Sequence, residues 1–243
     1  MLLIAALILA WLTASPQVAV ADAQADPAAL VQAGNGVDVA IVLAIDASAS
    51  VDAQEYLLQM GGVARAISDP AILAVVAAGR HRAIGLSVVT WSGAHDQTVL
   101  LPWTRIDGAA TARRVTAQLL AAPRVYTTGG TAIGAALSYS LLLFDQLPWA
   151  SPRRVIDVSG DGRNNHPPLI RSLKPEAERR GVVVNGLPVT DNDSGLARYY
   201  RDVVITGFGA FTVPTHSFET FPEAFRVKLM REIRGGPMVS LLP

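Results

Sequence analysis

Apolar and polar positions fall in blocks along the chain, and the blocks change period from one to the next. Val37 to Ile45 (VDVAIVLAI) is nearly all apolar and rich in Val and Ile, the pattern of a strand buried on both faces. From Asp52 to Ser68 the period lengthens. Tyr56, Leu57, Met60, Ala64 and Ile67 sit at helical spacing, and Asp52 and Glu55 are placed as a capping box. Ala83 to Trp91 (AIGLSVVTW) predicts a second strand and Gln97 to Ile106 a third. The short turn Ser92 to Asp96 between them implies a hairpin, so the third strand is an antiparallel edge beside an otherwise parallel sheet.

Two helical stretches follow, Ala109 to Ala121 and Ala132 to Gln146, divided by the loop Tyr126-Thr127-Thr128-Gly129-Gly130. Arg154 to Ser159 (RVIDVS) reads as a strand, Leu169 to Arg180 as a helix closed by Gly181, and Val182 to Val189 as another strand despite Gly186 and Pro188. A helix around Gly195 to Asp202, a short strand or loop over Val203 to Val213, and a helix from Pro222 to Ile233 complete the pattern. Strands alternating with helices at this spacing predict a doubly wound α/β fold: a mostly parallel central sheet with one antiparallel edge strand and helices on both faces. No repeat or composition break marks a second domain, so a single domain is expected over 37–243.

Ahead of it, Leu2 to Leu12 (LLIAALILAWL) is an unbroken apolar run. It is shorter than the roughly 20 residues a membrane span needs, but suits the core of a signal peptide. Ala19-Val20-Ala21 offers an A-x-A cleavage site, with Ala21-Asp22-Ala23 a second. No Lys or Arg precedes the core, and an uncleaved anchor or a core helix is the alternative. The expectation is a signal peptide over 1–21, a loose lead-in over 22–36, and a periplasmic or secreted product with no membrane span after cleavage.

Composition narrows the function classes. The 243 residues carry 20 Lys+Arg against 20 Asp+Glu, so no basic excess draws in nucleic acid or an anionic membrane. With 51% hydrophobic and 16% charged residues the chain is not disordered. Cysteine is absent, which removes disulfides, zinc–thiolate sites and thiol nucleophiles.

In a doubly wound sheet, ligands bind outside the carboxyl ends of the strands. The loop after the first strand reads Asp46-Ala47-Ser48-Ala49-Ser50. In an extended segment positions i, i+2 and i+4 point the same way, which would gather one carboxylate and two hydroxyls. Such hard oxygen donors suit Mg²⁺, Mn²⁺ or Ca²⁺ rather than a soft metal. A plainer reading makes this a Ser-rich turn in which Ser50 caps the helix. Thr128-Gly129-Gly130-Thr131-Ala132-Ile133-Gly134 opens a helix, its glycines allowing close backbone approach. Thr131 there could equally be an ordinary N-cap. After the strand ending at Ser159 comes Gly160-Asp161-Gly162-Arg163-Asn164-Asn165, a carboxylate on a Gly-flanked turn that could simply bond its own backbone.

Taken together and in this order, the D-x-S-x-S loop, the G-G-T helix opening and the Asp161-Gly162 turn resemble the metal-ion-dependent adhesion site of the von Willebrand factor A domain family. The resemblance runs from Val37 to Ile233. The stretch Tyr199-Tyr200-Arg201-Asp202-Val203-Val204-Ile205 to Gly209-Ala210-Phe211, with Phe225-Arg226-Val227-Lys228-Leu229, is similar to a bacterial secreted branch classed as a domain of unknown function. The resemblance implies that Ser48 and Ser50 bind a divalent cation directly, Mg²⁺ in the first instance. It implies that Thr131 binds directly or through water, and that Asp46 and Asp161 act mainly through waters. An open position would take an Asp or Glu of a protein partner, with Gly130, Gly162, Asn164 and Asp191 on the rim. One departure is visible: Gly160 stands where the family usually has the hydroxyl of Ser-Asp-Gly or Thr-Asp-Gly.

Asp157, mid-strand among apolar neighbours, is expected to face the sheet's end or to pair with Arg153 or Arg154, a structural role rather than a site one. Asp191-Asn192-Asp193 is an acidic turn at the same sheet edge. His81, His95, His166 and His216 show no ligand spacing, and Trp91 and Trp103 read as packing residues. Enzyme signatures are missing: no G-x-S-x-G, no G-x-x-x-x-G-K, and no G-x-G-x-x-G after the first strand. The expectation is a non-enzymatic binding protein. A metal-assisted phosphate or ester hydrolase, or a metal-independent structural module, is the alternative.

Overall fold

The computed structural model describes residues 36–235. The expected signal peptide over 1–21 and nearly all of the lead-in over 22–36 lie outside the described residues. One sheet holds β1 (Ala40–Asp46), β2 (Ile84–Trp91), β3 (Gln97–Ile106), β4 (Arg154–Gly160) and β5 (Val182–Pro188), in the spatial order β3-β2-β1-β4-β5. β1 pairs in parallel with β2 and β4, and β4 with β5, while β3 runs antiparallel to β2. The helices are α1 (Ala53–Ile67), α2 (Pro70–Ala78), α3 (Ala109–Ala121), α4 (Ile133–Leu143), α5 (Ile170–Arg179), α6 (Leu196–Tyr199) and α7 (Phe221–Arg234).

The unbroken apolar run of the first strand follows from its place at the centre. Val39, Ile41, Leu43 and Ile45 face a core shared with α1, α2, α3 and α7. Ala40, Val42 and Ala44, the alternate positions, face a second core shared with α4, α5 and α6. Asp52 caps α1 as its spacing predicts: its carboxylate accepts from Glu55 N at 2.8 Å, and Glu55 returns the bond to Asp52 N at 2.7 Å. Trp103 donates its indole N–H to Leu143 O at 2.8 Å and packs on Phe144, a structural role like that of the fully buried Trp91.

Three local features differ from the sequence pattern. α2 has no counterpart in it, because PAILAVVAA is apolar on every side and carries no helical period. The helix over 132–146 ends at Leu143 in a single 3-10 turn, Phe144–Gln146. The helix around 195–202 is four residues of α6 widening into a π turn, Tyr200–Val204. After it the chain makes no strand over 203–213, only isolated bridges such as Val184↔Thr206 and Gly186↔Thr212 along the outer edge of β5.

Asp157 pairs with neither Arg153 nor Arg154. Its Oδ1 lies 2.6 Å from Nζ of Lys228, a fully buried residue of α7, and the same ammonium is 2.6 Å from Glu232 Oε1. Asn185 of β5 donates to Glu232 Oε1 at 2.8 Å. Arg153 instead donates to the Glu232 and Ile233 carbonyls at 2.8 and 2.6 Å, satisfying the end of α7. Two carboxylates around one ammonium leave a buried negative excess. Burial, and then the Asp157 charge, raise the Glu232 carboxyl to about 7.

Candidate metal centre

β1 and β4 are adjacent and parallel, so their carboxyl ends lie side by side. There the connections diverge, β1 leading toward β2 on one side and β4 toward β5 on the other. Asp46 ends β1 and Asp161 follows the last residue of β4. Asp46 Oδ1 accepts from Ser48 N at 2.7 Å, which bends the chain out of the strand and brings the two serines round. Ser48 Oγ and Ser50 Oγ are 3.2 Å apart, and Ser50 Oγ donates to Asp161 Oδ1 at 2.7 Å. Ser50 is not the cap of α1, since Asp52 holds that position. The cluster is buried at its base, where Asp46 is 0% and Ser48 1% exposed, and opens to solvent at Ser50.

Thr131 joins from the third loop. It is not an N-cap: Ala132 is, with no side-chain cap bond. Thr131 N donates to Asn165 Oδ1 at 2.8 Å, and Thr131 O accepts from Asn165 N at 2.9 Å, tying this loop to the one after β4. Its hydroxyl lies 3.0 Å from where a Cβ on Gly162 would stand, beside the Asp161 turn. The glycines ahead of it give the backbone a left-handed turn at Gly129 and a close approach to the loop after β4 at Gly130. Gly129 has φ +111°, and a Cβ on Gly130 would come within 2.0 Å of the His166 ring.

The rim residues divide. Gly130 and Gly162 border the cluster, but the Asn164 side chain is engaged in the fold. Its Oδ1 accepts from Gly134 N in the first turn of α4 at 2.9 Å, and its Nδ2 donates to His166 O at 2.7 Å. Asp191 is exposed and near enough to act electrostatically on Asp161. Its neighbour Asp193 is bound to Arg163 at 2.7 Å.

Residues that the motifs do not contain complete the site. Gln59, fully buried on α1, donates to Asp46 O at 3.1 Å and accepts from Ser159 Oγ at 3.4 Å, clamping the ends of β1 and β4. Its one trace in the sequence is an amide on the apolar face of α1, one turn after Tyr56. Arg124 donates to the carbonyl oxygens of Ser48 and Val51, pinning the serine loop. Tyr200 is buried against Asp46, its phenol pushed well above the usual range by burial and then by the Asp46 charge.

The electrostatics favour a positive guest. Burial, then the Asp161 charge, raise the Asp46 carboxyl to about 7, against hydrogen bonds from Ser48 and from the Asp161 backbone that lower it. Burial also raises Asp161, with Asp191 adding to the effect and the Ser50 bond opposing it. Asp46 Oδ2 is buried with no hydrogen-bond partner among the described residues. Asp46, Ser48, Ser50, Thr131 and Asp161 present oxygen alone, and that donor set fits a hard divalent cation. Among the described residues no three His, Cys, Asp or Glu side chains gather to hold an ion.

Solved structures share the architecture. Proximal thread matrix protein 1 from the mussel byssus superposes with a TM-score of 0.63 at 14% identity, over 82% of this chain and 49% of that one. Another structure of it, described as having a zinc occupied MIDAS motif, gives 0.54 at 17% identity, over 80% of this chain and 46% of that one. The pilus adhesin SpaC from Lactobacillus rhamnosus GG gives 0.61 at 13% identity, over 82% of this chain and 31% of that one. The von Willebrand factor type A protein from Catenulispora acidiphila gives 0.55 at 16% identity, over 81% and 43%. The chain thus spans half or less of the length of these proteins, and identities this low establish the fold. That fold is the von Willebrand factor A fold. The chain belongs to the family described as Protein of unknown function (DUF1194), which matches residues 36–237. The search of curated proteins finds no match.

Proposed function

We propose that this von Willebrand A-like module binds a divalent cation at the Asp46–Asp161 cluster and uses it to capture a carboxylate of a protein partner. The observation that carries the reading is the convergence of the serine loop and the Asp161 turn. They are joined at Ser50–Asp161, with a carboxylate oxygen of Asp46 beneath that has no partner among the described residues. Ser48, Ser50 and Thr131 would hold the ion by their hydroxyls, and Asp46 and Asp161 would balance its charge mainly through water. Once bound, the ion supplies an electrophilic position for an Asp or Glu side chain. Mg²⁺ is the first choice, because neutral hydroxyls and retained waters suit it, with Mn²⁺ and Ca²⁺ as alternatives. The zinc in the mussel protein's motif supports a divalent ion as such.

Gln59, Arg124 and Asn165 keep the three loops in register, so the donors are positioned before the ion arrives. Adhesion and matrix proteins among the structural neighbours support a non-enzymatic role. Export to the periplasm or beyond belongs to the same reading and rests on Leu2 to Leu12. It predicts a mature N-terminus at Asp22 by mass spectrometry, and an intact Met1 would contradict it.

The capture reading is tested with immobilised peptides that differ only by Asp or Glu against Asn or Gln. Retention on the acidic set in Mg²⁺, released by chelator, is the result expected. Equal retention on both sets, or retention indifferent to chelator, would overturn it.

A further inference from the structure

Asp46 Oδ2 is not alone in lacking a partner. The phenolic oxygen of Tyr200, also buried, makes no hydrogen bond among the described residues either. The two atoms face one spot. A Cβ built on Gly160 would stand 2.6 Å from Asp46 Oδ2 and 3.0 Å from Tyr200 Oη. Gly160 is the position at which the sequence departs from the Ser-Asp-Gly pattern, so the hollow left by the absent side chain is where the phenol arrives.

The fold builds this approach from two glycines on neighbouring strands. On β5, a Cβ at Gly186 would lie 2.6 Å from the Tyr200 ring, and on β4 Gly160 leaves room for its hydroxyl. The π turn over Tyr200–Val204 sets the ring between α6 and the sheet, where it is fully buried. A buried phenol with no acceptor leaves its desolvation uncompensated. An ionised carboxylate is an acceptor only, and O–H···O⁻ bonds are among the stronger protein hydrogen bonds.

We propose that Tyr200 is the positioning donor for Asp46, its phenol supplying, directly or through one water at Gly160, the hydrogen bond that aims Oδ2 at the cation. Tyr200 thereby takes the part that a hydroxyl at position 160 would otherwise play. The inference rests on the metal reading above and names a residue that lies outside the three motif loops.

Mn²⁺ titration followed by electron paramagnetic resonance tests it, with thermal unfolding in chelator run beside it. Tyr200→Phe removes one oxygen and keeps the ring. The expected result is a roughly 10–100-fold loss of Mn²⁺ affinity, the usual scale for groups that orient metal ligands. The melting temperature in chelator should stay unchanged or rise. Gly160→Ala, whose Cβ would crowd both Asp46 Oδ2 and the phenol, should weaken Mn²⁺ binding as well. Tyr200→Phe binding Mn²⁺ within about two-fold of wild type would overturn the inference and leave the metal reading intact. So would an affinity loss matched by a fall in chelated stability, since that marks a packing role. A wild-type chain that binds no Mn²⁺ would overturn the metal reading, and this inference with it.

Discussion

Ser50 and Asp161 lie 111 positions apart and meet at 2.7 Å, where the serine hydroxyl donates to the carboxylate and joins the loop after β1 to the loop after β4. Removing that hydroxyl should separate binding from stability, because Ser50 is exposed. Ser50→Ala loses one hydrogen bond, about 0.5–1.5 kcal/mol, which is a few degrees of melting temperature for a chain of this size. In chelator the variant should therefore unfold close to wild type. With Mg²⁺ added, most of the cation-induced rise should be gone. Calorimetry in the two buffers measures both numbers.

The Lys228–Asp157–Glu232 group predicts a large effect far from the metal centre. Lys228→Met leaves two buried carboxylates without their cation, and breaking a buried pair in this way costs roughly 3–5 kcal/mol. A fall of roughly 10 °C in melting temperature is expected, with no selective loss of cation response. Scanning calorimetry with and without Mg²⁺ reads both quantities.

The same group sets a pH dependence. An unperturbed Glu titrates near 4.5, whereas folded Glu232 keeps its proton to about 7. Between those values the folded state binds the extra proton, so the stability it contributes is full at low pH and is lost as pH rises through about 7. In chelator, wild type should lose on the order of 1–3 kcal/mol between pH 5 and pH 8 from this carboxyl. Glu232→Gln should flatten that part of the profile. Denaturant titrations of the two chains across this range supply the comparison.

Gly134 predicts a backbone constraint beneath Thr131. A Cβ there would stand 2.0 Å from the Pro168 carbonyl oxygen, and backbone cannot swing aside as a side-chain tip can. Gly134→Ala should push α4 from the loop after β4 and strain the Gly134 N–Asn164 bond. A loss on the order of 1–3 kcal/mol is expected. Cation response should fall with it, because Thr131 moves with α4. Unfolding curves and Mn²⁺ titration of this variant check both effects.

Much of this was legible in the chain. The strands announced themselves because β1 and β2 are buried at every position, and such strands read as continuous apolar runs. The three loops were legible because their donors sit at fixed spacing beside strand ends, where the topology gathers them. α2 was missed because apolarity without a period carries no helix signal, although Asp69 capping Ala71 N and Pro70 in the first turn were a start signal. Local sequence offers Asp157 only Arg153 and Arg154, while packing of α7 against the sheet delivers Lys228. The roles of Tyr200 and Gln59 are not legible because nothing local ties a phenol or an amide to a carboxylate far along the chain.

Whether the Asp46–Asp161 cluster takes a divalent cation is read from thermal unfolding. A ligand that binds only the folded state stabilises by about 2.7 kcal/mol at a hundred times its dissociation constant, which is roughly 5–10 °C here. Wild type should melt higher in Mg²⁺, Mn²⁺ or Ca²⁺ than in chelator, and Asp46→Ala should show no such rise. A wild-type melting temperature unmoved by all three cations, or an equal rise in Asp46→Ala, would mean that the cluster holds no cation.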